Sequence, residues 1–132
     1  MKERLGLRIG VDAWNLPGDR RGIGRYVRNI VREWRNAKEV DVALIIPESL
    51  TLFAASRYRA ALGDATIPVL SRAASGRGRF DVVWFPWNGM SWIAAGVSVA
   101  TLHDASLFAH PPADGEFARK EQQPFVTAAE HA

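Results

Sequence analysis

Cysteine is absent from the 132 residues, which excludes disulfides, thiolate metal sites and redox chemistry on a thiol. That absence suits a reducing compartment. No stretch approaches 18 uncharged apolar residues, so no segment is built to span a bilayer. The stretch from Met1 to Gly10 begins with charges, but its apolar run is short and leads straight into Asp12, unlike a targeting segment. Also missing are a GxGxxG turn at strand-to-helix spacing, a GK[ST] phosphate loop and a nucleophile elbow, which removes three common enzyme classes. No internal repeat is visible. His103 and His110 lack metal-ligand spacing, His131 is remote, and no carboxylate cluster joins them, so no metal or cofactor is expected.

What is present suffices for one domain over residues 1–132. Hydrophobic residues make up 48% of the chain, and a compact domain of this length buries roughly two-thirds of its unfolded surface. The formal charge is +3, from 17 basic and 14 acidic residues. The excess is local: Arg20, Arg21, Arg25, Arg28, Arg32, Arg35 and Lys38 are opposed only by Glu33. Such a concentration serves phosphates, acidic lipid or nucleic acid, or is simply a solvated helix face. The remainder is nearly balanced, and the aromatics beside arginines form no recognisable nucleic-acid module. No nucleic-acid partner is expected.

Strands are expected at Leu7 to Ala13, Val40 to Ile46, Ile67 to Leu70, Asp81 to Phe85 and Val97 to Leu102, most of them short and nearly continuously apolar. Ile23 to Asn36 is the clearest helix, with Ile23, Tyr26, Val27, Ile30, Val31 and Trp34 in one stripe and the arginines largely opposite. Glu48 to Leu62 has a weaker helical stripe through Leu52, Phe53, Ser56, Tyr58 and Arg59. Ser71 to Arg79 reads as a helix fragment or loop. Gly115 to Ala132 reads as a helix that Pro124 kinks or breaks. This alternation predicts a parallel α/β sheet with helices on both faces.

In such sheets ligands sit beyond the C-terminal ends of the strands, and three candidate groups fall there. Gly22-Ile23-Gly24-Arg25 opens a helix, where glycines let backbone approach a ligand and free N–H groups attract anions; a purely structural turn is the alternative. His103 and Asp104 follow a strand. Histidine exchanges or shares a proton near neutral pH, but adjacent strand residues point oppositely and need not touch. Asp12 ends the first strand and either binds a hydroxylated ligand or caps the next turn. In the aromatic run after the fourth strand, Trp84 and Phe85 belong to the core, whereas Trp87, Asn88 and Trp92 have the better claim on a surface cleft.

Taken in order, Ile9-Gly10-Val11-Asp12-Ala13, Gly22-Ile23-Gly24-Arg25-Tyr26, Asp81-Val82-Val83-Trp84-Phe85-Pro86 and Thr101-Leu102-His103-Asp104 resemble the amino-terminal domain of family 4 glycosyltransferases, the large retaining GT-B group. The similarity covers nearly the whole chain. Trp14 stands where many relatives carry arginine. The resemblance implies an incomplete enzyme: one Rossmann-like, acceptor-side domain whose carboxy-terminal partner domain holds most of a nucleotide-sugar. By that similarity Gly22 to Gly24 with Arg25 would lie near the donor diphosphate. His103 would stand near the transferred sugar as the catalytic-site histidine, and Asp12, Trp87, Asn88 and Asp104 would line the acceptor cleft. Sugar would pass with retention to a glycan, lipid-linked or small-molecule acceptor. The resemblance implies a cytoplasmic setting, with peripheral association at the inner face of the membrane, and no activity from this fragment alone. The competing reading is a nonenzymatic α/β domain that meets an acidic partner through Arg28, Arg32 and Arg35.

Overall fold

A computed structural model describes residues 6–104 and 106–132. Residues 1–5, which open the segment read as carrying no targeting signal, lie outside them. Five strands form one sheet: β1 (Leu7–Asp12), β2 (Val40–Ile46), β3 (Val69–Ser71), β4 (Val82–Phe85) and β5 (Ser98–Ala100). All pairings are parallel, in the order β3-β2-β1-β4-β5. The helices are α1 (Ile23–Asn36), α2 (Leu52–Leu62), the short α3 (Ser106–Ala109) and α4 (Gly115–His131). This is the Rossmann-like architecture that the alternating pattern predicts. Among the described residues no helix is long and apolar enough to cross a membrane.

Alternation along the central strands divides the core in two. Ile9 and Val11, Val42, Leu44 and Ile46, and Trp84 face α1 and α2, where Val27, Val31, Ala54, Ala55, Tyr58 and Leu62 pack on them. Ile45, Val83 and Phe85 face the other way, onto Met90, Ala94 and Ala128 of the loop and α4. Both faces of β1 and β2 are therefore dry along most of their length, which explains their unbroken apolar runs. Within β1, Gly10 stands where a side chain would crowd the core: a Cβ there would lie 2.7 Å from Ile45 Cδ1 and 2.8 Å from the Phe80 ring.

Two helices depart from the sequence expectation. α2 starts at Leu52 rather than Glu48, because the Thr51 hydroxyl accepts the Ala54 N–H at 3.0 Å and sets the first turn. That phase buries Ala54, Ala55, Tyr58 and Leu62 and turns Leu52 and Phe53, assigned to the stripe, out into solvent. α4 does not break at Pro124. The Pro124 carbonyl accepts the Met90 N–H at 2.9 Å, and Phe125 and Ala128 are buried beyond it, so packing holds the turn that proline weakens. Between β3 and β4, the segment Ser71 to Arg79 contains a single 3₁₀ turn, Arg72–Ala74.

Gly89 is the point where α4 meets the sheet. Its φ of +128° and the 2.5 Å from a notional Cβ to the Pro124 carbonyl leave no room for a side chain. Gly89→Ala is expected to destabilise the chain by about 2 kcal/mol or more, read as a lowered urea midpoint.

Candidate functional site

The strand order reverses direction at β1, and in open α/β sheets such a reversal is where ligands are usually received. Asp12 stands at that point, wholly buried. Neither carboxylate oxygen has a hydrogen-bond partner among the described residues; Arg72 Nη2 lies 3.9 Å from Oδ1. Burial pushes the carboxyl from 3.8 up to about 6, against the pull of the Trp92 indole, the Arg72 guanidinium and the Trp14 backbone. The Trp92 Nε1 is itself buried and outside bonding geometry, so the indole acts as a nearby dipole rather than a made bond. The Arg72 guanidinium stacks over the Trp92 ring at 5.1 Å.

The backbone of Asp12 does different work. Its carbonyl accepts the Trp87 indole N–H at 2.7 Å, a buried bond between segments 75 residues apart. Trp87, expected on the surface, is a core residue on which the exposed Trp14 rests at 6.2 Å between ring centroids. An indole N–H that finds a carbonyl can be buried without leaving a polar group unpaired. Nothing in a local aromatic run reveals a bond to a strand so far away in sequence.

Next to Trp87, Asn88 adopts φ +59°, one of the few side chains that tolerate this region. The turn aims its Oδ1 at the end of β5, where it accepts the His103 N–H at 2.5 Å and the Asp104 N–H at 3.3 Å. His103 Nε2 lies 3.0 Å from the Pro86 carbonyl. A carbonyl only accepts, so Nε2 carries a proton, and in the neutral ring Nδ1 is then the acceptor. The ring meets Tyr26 edge-on at 5.1 Å, and Tyr26 rests on Trp84 at 6.0 Å. Asp104 turns away to accept the Ser106 N–H at 2.8 Å and to pair with its hydroxyl at 3.0 Å. Histidine and aspartate share an anchor, not a hydrogen bond.

The opening of α1 is occupied. Asp19 Oδ2 accepts the Gly24 N–H at 3.0 Å and Oδ1 accepts the Arg21 N–H at 2.9 Å. The carboxylate thus sits where the helix start would attract an anion. Gly24 is required by closeness rather than by a ligand: a Cβ would fall 1.8 Å from the Asp19 carbonyl. Gly22, at φ +57°, makes the turn. Ile23 is half-buried against the core, and Arg25 points into solvent. Asp19 was not singled out in the sequence, although an Asp shortly before a helix is a familiar capping signal.

The arginines of α1 are largely engaged within the chain. Arg28 donates to the Asp19 carbonyl at 2.9 Å and to that of Arg20. Arg32 donates to the Leu62 carbonyl at 3.3 Å, and Arg35 pairs with Asp64 at 2.7 Å. A cleft of about 750 Å³ runs between α1 and α2, lined by Arg20, Arg28, Arg32 and Arg57. A second, of about 310 Å³, opens at the opposite edge of the sheet beside Arg8, Asp41, Arg79 and Phe80. Neither is lined by Asp12, Asn88 or His103. Among the described residues no cluster of three or more His, Asp or Glu is arranged to hold a metal.

No protein-family model, curated protein or solved structure matches this chain.

Asp12 yields a pH test whose sign is determined by its burial. Its folded pKa, about 6, exceeds the ordinary 3.8, so the protonated form favours the fold. That contribution is complete below about pH 4 and is lost as pH rises through about 6. Relative to Asp12→Asn, which cannot ionise, the unsubstituted chain should lose about 2 kcal/mol between about pH 4 and pH 6. Urea unfolding of both proteins at the two pH values measures the difference.

Proposed function

We propose that this chain is the acceptor-side, Rossmann-like half of a retaining GT-B glycosyltransferase of the family 4 type. In the complete enzyme a second domain would supply most of the nucleotide-sugar site. The observation that carries the reading is the connectedness of its four resembling segments. The first, Ile9 to Ala13, is tied at Asp12 to the loop after β4 by the Trp87 indole. That loop holds His103 through Pro86 and Asn88, and His103 in turn meets Tyr26 of the second segment. Residues scattered over the chain thus meet along one rim, where an open α/β sheet takes its ligands.

The chemistry follows from what each group offers. In transfer with retention, the acceptor hydroxyl attacks the anomeric carbon as the donor diphosphate departs, and negative charge grows on the leaving oxygen. Cationic side chains and backbone N–H groups lower that barrier. Because Asp19 already takes two N–H groups at the α1 start, positive charge for the diphosphate comes from exposed side chains such as Arg25. His103, held with Nδ1 as acceptor, suits a hydrogen bond from a sugar hydroxyl; it orients the reacting group. Asp12 and Trp87 support the rim from beneath rather than line it, while Asn88 and Asp104 shape its edge.

Half of the cleft is too little for turnover. Residues 1–132 alone are expected to transfer or hydrolyse none of a panel of uridine, guanosine and adenosine diphosphate sugars. Joined to a partner domain that restores transfer, His103→Ala should lower kcat by about 10²-fold, with a smaller change in KM. Robust turnover by residues 1–132 alone contradicts the reading, as does full activity in the His103→Ala protein.

A further inference from the structure

The arginines of α1 divide by what holds them. Arg35 is neutralised by Asp64 and does not line the cleft between α1 and α2. Arg28 and Arg32 do line it, and both are tied to carbonyls: Arg28 to those of Asp19 and Arg20, Arg32 to that of Leu62. A neutral carbonyl fixes a guanidinium without cancelling its charge, and each guanidinium keeps N–H groups to spare. Arg20 and Arg57 complete the basic lining. Arg57 pairs with Glu48, whereas Arg20 meets no carboxylate among the described residues. Of four lining arginines, three therefore keep uncompensated charge. No acidic side chain lines the cleft. Asp19 and Asp64, next in sequence to the lining residues Arg20 and Gly63, are spent on the α1 start and on Arg35.

Like charges gathered around a concavity focus a positive potential into it. The cleft, at about 750 Å³, is of the size that holds a small ligand, roughly 300–1,000 Å³. We propose that the cleft between α1 and α2 binds a small ligand carrying linked phosphates, such as a diphosphate or triphosphate. Guanidinium forks match phosphate oxygens in pairs, and three uncompensated charges exceed what a single carboxylate would answer. Because their carbonyl bonds hold Arg28 and Arg32 before any ligand arrives, less side-chain freedom is lost on binding. An extended nucleic acid would need the charge to continue along α1, where Arg35 is instead neutralised. The cleft is also separate from the candidate rim, since Asp12, Asn88 and His103 do not line it.

The proposal does not depend on sugar transfer. Titration calorimetry of the chain with inorganic tripolyphosphate is expected to show a single equivalent bound, more weakly as salt is raised. The double variant Arg20→Gln/Arg32→Gln should bind at least about tenfold more weakly, and Arg20→Gln alone about threefold. Lys120→Gln, which removes a charge on α4 outside the cleft, should bind as the unsubstituted chain does. Arg20, Arg32 and Lys120 are all exposed, and circular dichroism verifies the fold of each variant. Adenosine diphosphate distinguishes the source: tighter binding than tripolyphosphate identifies a nucleotide, weaker binding a polyphosphate without a base, and both agree with the proposal. No binding up to about 1 mM tripolyphosphate overturns it, and so does binding that both arginine variants leave unchanged. Binding that Arg25→Gln abolishes and the double variant spares would place the anion at the start of α1 and also overturn it. So would a single-stranded oligonucleotide bound more tightly than either probe, which would identify nucleic acid.

Discussion

One buried hydrogen bond joins the two sides of the candidate rim: the Trp87 indole donates to the backbone carbonyl of Asp12. It joins the end of β1 to the loop after β4 at the place where the sheet changes direction. A neutral bond of this kind contributes only about 1 kcal/mol in net terms, but leaving either group buried and unpaired would cost about 1–3 kcal/mol. The geometry is therefore strongly favoured. On either side of Trp87, Pro86 and Asn88 both present an oxygen to His103. The carboxylate of Asp12 is left beneath this floor, near one cation and two indoles, with its acidity reduced by burial. Such buried, imperfectly satisfied groups are characteristic of functional sites rather than of optimised cores.

Much of the fold was legible in the sequence because parallel sheets impose a simple demand. Strands covered on both faces must be apolar throughout, so LRIGVD, VDVALII and VVWF could be recognised without knowing their neighbours. The α1 stripe was equally plain, since Val27 and Val31 face the core. The phase of α2 was not: alanines at 54 and 55 carry little hydrophobic signal, while Leu52 and Phe53 carry a large one and lie outside. Hydrophobicity reports the tendency to leave water, not the direction a capped helix will turn. The Thr51 cap determined that direction.

That several candidate residues lie near one another was legible in the sequence; what each one bonds to was not. Asp12, Asn88, His103 and the GIGRY segment do assemble on one rim, because all follow strand ends on the same side of the sheet. Their assigned tasks depended on bonds that no spacing discloses. The glycine turn looked open to anions, yet Asp19 folds back over it. The arginines of α1 also serve the chain itself: Arg28 and Arg32 donate to neighbouring carbonyls and Arg35 pairs with Asp64. Side-chain to backbone bonds between distant segments are a property of the folded chain, and a reading that proceeds residue by residue along the sequence has no access to them.

The account depends most directly on how His103 is held, since that residue touches both the segment after β4 and the start of α1. A long-range proton–nitrogen NMR spectrum of its imidazole near neutral pH reads which ring nitrogen carries the proton. The tether to the Pro86 carbonyl predicts the Nε2–H form with Nδ1 unprotonated. A spectrum showing the Nδ1–H form, or an unrestrained mixture of the two, would contradict it and leave the rim without the acceptor that its chemistry requires.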